Sequence, residues 1–121
     1  MRSLDLTTIA LLIGLAGIAD AAEPMSQSEF QELITGNTMV GEWAGKPYKQ
    51  FFNENLTTIY QEEDSPQTNG TWSINEQGQY CSVWPPNPKE ACYNVTRDGN
   101  NLLWESEDNV YPATVVEGNQ M

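Results

Sequence analysis

From Lys46 to the C-terminus, seven short β-prone runs alternate with turn signals, and no run is long enough for a second layer of helices. Lys46 to Phe52 ends at Asn53-Glu54-Asn55, and Leu56 to Gln61 ends at the polar stretch Glu62 to Gly70. Thr71 to Ile74, Gln79 to Trp84, Ala91 to Thr96, Asn101 to Glu105 and Val110 to Val116 follow. Asp98-Gly99 is a step suited to positive φ and so to a tight hairpin. Strands this short with local turns pair with their sequence neighbours. The expectation is a mainly β fold, an antiparallel meander of about seven strands closed as a small barrel or folded as a sandwich. Pro112 lacks a backbone donor, which predicts that the last strand is an edge.

A helix is expected before the sheet. Ser26-Gln27-Ser28-Glu29 has capping-box form, with Glu29 reaching back to Ser26. Phe30, Leu33 and Ile34 make one apolar stripe, and Gly36 suits a left-handed cap. A helix over about 27–35 is too short to stand alone and must dock on the sheet, whose strands begin at about residue 40.

Residues 1–21 read as a signal peptide: Arg2, an apolar run from Ile9 to Ala19, and Ala19-Asp20-Ala21 at the cleavage point. The apolar run is too short to span a bilayer, so no membrane span is expected after cleavage. Residues 22–121 are left as a single β-rich domain, periplasmic or secreted. In that compartment the two cysteines, Cys81 and Cys92, read as a disulfide. If they face each other across a hairpin, Tyr80 faces Tyr93. Tyr80, Trp84, Tyr93 and Val95 then share one face, and the cysteines point to the other. Pro85, Pro86 and Pro88 stiffen the tip.

Composition excludes more chemistry than it suggests. Without Arg2, Asp5 and Asp20 the chain holds 15 acids against 4 bases, a net charge of −11. Nucleic acid is therefore excluded as a partner, since its phosphates need a basic patch. There is no histidine, which removes the usual Ser-His-Asp and Cys-His sites and most zinc sites. No Gly-rich phosphate loop and no S-x-x-K element occur. The chain reads as a non-enzyme with no cofactor and no metal site. The acidic turns Glu62-Glu63-Asp64 and Glu105-Ser106-Glu107-Asp108-Asn109 lack the spaced ligands of a calcium loop and read as solvated. Asn55, Asn69 and Asn94 each open an N-x-T triplet, a signal with meaning only in a glycosylating host.

Four tryptophans and five tyrosines remain. Trp72 and Trp104 sit mid-strand among apolar neighbours and read as core. Trp84, Tyr80, Tyr93, Pro85, Pro86 and Trp43 are the candidate binding residues. Aromatic faces of this kind stack on sugars or apolar ligands.

Gly41-Glu42-Trp43 after a short helix resembles the G-x-W start of lipocalin-like barrels, and Gly70-Thr71-Trp72 repeats the form. A wider set of residues resembles a family of small exported alphaproteobacterial proteins sharing a domain of unknown function. These are Gly36-Asn37-Thr38, Phe51 to Thr57, Gly70-Thr71-Trp72, Cys81-Ser82-Val83-Trp84-Pro85, Cys92-Tyr93-Asn94-Val95 and Asp98-Gly99. Glu54-Asn55-Leu56 departs where that family usually has Asp-Gly. The resemblance implies an exported β-rich fold with a disulfide and no activity. The leading expectation is a binding module working through the hairpin tip Trp84 to Lys89 on an unidentified protein, or on a small apolar or sugar ligand. The alternatives are a lipocalin-like carrier with a cavity lined by Trp43, Trp72 and Trp104, and an inhibitor of a basic enzyme such as a lysozyme.

Overall fold

The computed structural model describes residues 23–121, so the expected signal peptide lies outside the described residues. After β1 (Glu23–Pro24) and α1 (Gln27–Ile34) come eight strands. These are β2 (Thr38–Trp43), β3 (Lys46–Phe52), β4 (Thr57–Glu62), β5 (Thr68–Ile74), β6 (Tyr80–Val83), β7 (Ala91–Asp98), β8 (Asn101–Ser106) and β9 (Asn109–Val116). Each pairs antiparallel with the next, and β2 pairs with β9, closing an eight-stranded up-and-down barrel. The two-residue β1 adds to β7 at Thr96 and Arg97.

The expected class holds, and the count rises from seven to eight in the barrel. The strand left out of the seven runs is β2, which falls where strands were expected to begin, at about residue 40. Its glycine and its G-N-T lead hide an alternation in which Met39 and Trp43 face inward. The edge expected at Pro112 is corrected by closure, since β9 pairs on both sides. Pro112 lies one residue past the last β2–β9 pair, Gly41↔Ala113, so its missing donor costs nothing on that side.

Ser26 caps α1 by accepting from the Glu29 N–H at 3.1 Å. The reciprocal half of the capping box does not form. The Glu29 carboxylate instead meets Arg97 of β7 at 3.0 Å. Gly36 takes the left-handed conformation expected of it, with φ 79°. Phe30 and Ile34 are fully buried, and full burial of such side chains stabilises by about 1.5–3 kcal/mol each. Together with Gln27, which donates to the Ile74 carbonyl at 2.7 Å, they fix the helix across one end of the barrel.

Beneath the helix the barrel is filled. Met25, Met39, Phe52, Trp72, Ile74, Val95, Leu102 and Ala113 pack with Phe30 and Ile34 into one core. The Trp72 indole donates to the Asn53 carbonyl at 3.1 Å, which settles its one polar atom. The C-terminal residues fold back on the same end. The buried Thr38 hydroxyl donates to the Gly118 carbonyl at 2.6 Å and accepts from the Gln120 N–H at 2.9 Å.

Candidate functional site

The end opposite the helix is not filled. The ladders thin there: β2–β9 pairing stops at Gly41↔Ala113, and β7–β8 pairing stops at Asn94↔Glu105. Between the splayed strands lies a cavity of about 630 Å³. Eight-stranded barrels have room for side chains alone or for one small ligand, and this one divides its interior between the two.

The β6–β7 hairpin supplies one wall. Cys81 pairs with Cys92 and Tyr80 with Tyr93, in the register expected from the cysteines. The two sulfurs are bonded. Alternation turns Tyr80, Ser82, Trp84 and Tyr93 to the cavity, while Cys81 and Cys92 lie on the outer face. Both tyrosine rings pack edge-on against Trp104, at centroid distances of 4.9 and 5.9 Å. Trp84 does not project from the hairpin tip. Its indole N–H donates to Ser82 Oγ at 3.0 Å, and its ring packs edge-on against Tyr60 at 5.9 Å. Gly70 of β5 makes this possible. A Cβ there would stand 2.5 Å from the Val83 carbonyl oxygen and 2.7 Å from a Trp84 ring carbon.

Trp43 supplies the facing wall. Its ring contacts Tyr111 at 4.4 Å, Tyr93 at 5.8 Å and Trp104 at 6.2 Å. Of the candidate binding residues, Trp84, Tyr80, Tyr93, Pro85 and Trp43 line the cavity. Pro86 does not and lies exposed in the tip. Trp72, expected to line a carrier's cavity, belongs to the filled half, whereas Trp104 borders both halves.

Sequence reasoning missed the floor, formed by Tyr48, Gln50 and Tyr60. Tyr48 and Tyr60 stack at 5.3 Å. Gln50 is buried and donates to Thr58 Oγ1 at 3.0 Å and to the Tyr80 hydroxyl at 2.9 Å. Thr58 gives its only proton to the Phe51 carbonyl at 2.8 Å, so the Gln50 atom facing it must be the NH₂ group. The signal for this floor was a glutamine at an inward position of an alternating strand, between Tyr48 and Phe52.

Burial holds the Tyr48, Tyr60 and Tyr80 phenols well above their ordinary pKa. For Tyr60 the Glu62 carboxylate, accepting its proton at 3.0 Å, adds to the rise. For Tyr80 the bonds from Gln50 and Ser82 oppose burial without overcoming it. No carboxylate, lysine or arginine lines the cavity. This is an uncharged, aromatic well in a strongly acidic protein.

No family model, curated protein or solved structure matches this chain.

No carboxylate or lysine lines the well beside its one serine, whose oxygen accepts from the Trp84 indole. Among the described residues, Cys81, Glu90 and Cys92 are the one group of metal-ligand type close enough to share an ion. Both sulfurs are spent on the disulfide, and neither acidic turn brings three carboxylates together. Among the described residues no helix is long and apolar enough to cross a membrane.

Proposed function

We propose that this protein is a non-enzymatic small-ligand-binding barrel, exported to an oxidising compartment, which holds an apolar or aromatic-faced molecule in the open half of its interior. The observation that carries the reading is the division of the barrel. One half is packed to exclusion by the helix and core, and the other is left as a cavity of about 630 Å³ walled by aromatic rings. Closed packing is the default for a small domain, and a void costs stability unless something fills it. The size lies within the range of about 300–1,000 Å³ common to small-molecule sites. The well also has the expected composition, mostly aromatic surface with a few fixed polar atoms.

This reading takes the carrier alternative over a hairpin tip working as a presenting surface, because Trp84 turns inward and joins the wall. The disulfide and the prolines then hold the β6–β7 wall in place. Native mass spectrometry of protein purified from its own host is the test. The expected result is a fraction of molecules carrying one non-covalent adduct of small-molecule mass, absent from denatured spectra. A protein that never carries an adduct, and takes up none from a lipid and small-molecule extract of the host, would remove the reading.

A further inference from the structure

We propose that the ligand is an organic cation, a flat apolar body bearing a protonated nitrogen with at least one N–H. The inference rests on the pocket being a ligand site and adds the charge and the donor that the site selects.

The mouth is ringed with negative charge. The connections at that end, positions 42–46, 62–67, 84–90 and 105–109, carry eight carboxylates and two lysines. The wall inside is uncharged. An acidic rim over a low-dielectric cleft focuses its field into the cleft, raising the local concentration of cations and repelling anions. An anionic ligand would find no lysine or arginine in the well to compensate it, and burying an uncompensated charge is costly.

The floor carries two buried polar atoms without partners. Both protons of the Gln50 amide are used, on Thr58 and Tyr80, and its orientation is fixed by Thr58. Gln50 Oε1 is therefore a leftover acceptor in a residue only 5 % exposed, and no donor among the described residues reaches it. The Tyr48 hydroxyl, also in a residue 5 % exposed, makes no hydrogen bond among the described residues. A buried acceptor is satisfied by a donor, here an N–H brought in by the ligand. The rings of Trp43, Trp84, Tyr93 and Trp104 line the same well, and a desolvated cation set over a ring face is attracted through the ring quadrupole. A divalent metal does not fit, because it needs several hard oxygen ligands and no carboxylate enters the well.

The test is calorimetric titration of the purified protein with four probes of one body. These are 2-naphthylmethylammonium, its trimethylammonium analogue, 2-naphthylmethanol and 2-naphthoate. At low salt the primary ammonium should bind about tenfold or more tighter than the alcohol, with the naphthoate weakest. It should also bind tighter than the trimethylammonium probe, which keeps the charge and lacks the N–H. High salt should narrow the ammonium-to-alcohol ratio. The surface variant Glu63→Gln, Asp64→Asn, Glu107→Gln, Asp108→Asn should narrow it too, and an unchanged ratio would overturn the role of the rim. Alcohol or naphthoate binding as tightly as the ammonium would overturn the cation inference and leave the pocket standing. Failure of all four probes to bind would overturn the pocket reading itself.

Discussion

Replacing Gly70 with alanine tests the wall of the well at one atom. The new Cβ would lie 2.5 Å from the Val83 carbonyl oxygen and 2.7 and 3.0 Å from two carbons of the Trp84 ring. The ring could swing away, but the carbonyl belongs to the backbone of β6 and cannot yield alone. Either β5 and β6 separate locally or Trp84 leaves the wall. Overpacking of this kind costs about 1–3 kcal/mol. For a domain of about 100 residues that is a fall of roughly 5–20 °C in melting temperature. The neighbouring Thr71→Ala, on the exposed face of the same strand, should stay within about 0.5 kcal/mol and serves as the control. Thermal unfolding followed by near-ultraviolet circular dichroism reports both effects, since a displaced Trp84 loses its asymmetric packing. Gly70→Ala melting with the wild type and keeping its near-ultraviolet spectrum would refute the reasoning that Gly70 exists to seat Trp84.

Cys81 and Cys92 stand 11 positions apart, and changing both to alanine should cost about 3 kcal/mol by loop entropy, read as a lower denaturant midpoint with a slope equal to or steeper than the wild type's. Leu56→Gly should instead stabilise by about 0.5–1 kcal/mol. Leu56 is exposed at φ 70°, where a side chain costs about 1–2 kcal/mol, and removing it more than offsets glycine's entropy. Alkaline stability should fall above pH 10, the ordinary phenol value. The folded state keeps Tyr48, Tyr60 and Tyr80 neutral while the unfolded chain ionises them, so the stability they contribute is whole below that pH and lost above it. A pH titration of tyrosinate absorbance checks this, with those three expected to ionise only together with unfolding.

The β runs and the hairpin register were legible because strand alternation has a period of two and the cysteine pair sets a phase. Tyr80, Trp84 and Tyr93 could therefore be placed on one face before their surroundings were known. Strand β2 was legible only as an onset of strand near residue 40 and not as a run of its own, because Gly41 interrupts a segment whose inward residues are otherwise few. Whether the barrel is hollow or filled was also illegible. Inward positions alternate identically in both cases, and the answer lies in side-chain volumes summed across strands distant in sequence. The floor was missed for the same reason: Gln50 looks like any polar residue until Thr58 and Tyr80 close on it from β4 and β6. Likewise Glu29 carried a capping signature that was overridden by Arg97, 68 residues away.

The central claim is that the open half of the barrel is a ligand site walled by Trp43 and Trp84. Titration with N-phenyl-1-naphthylamine, an uncharged apolar fluorophore, tests it most directly. One saturable site per chain is expected, weakened about tenfold or more by Trp84→Ala and by Trp43→Ala, a loss of roughly 1.4 kcal/mol each. Fluorescence that rises without saturation, or a site that both variants leave intact, would contradict it.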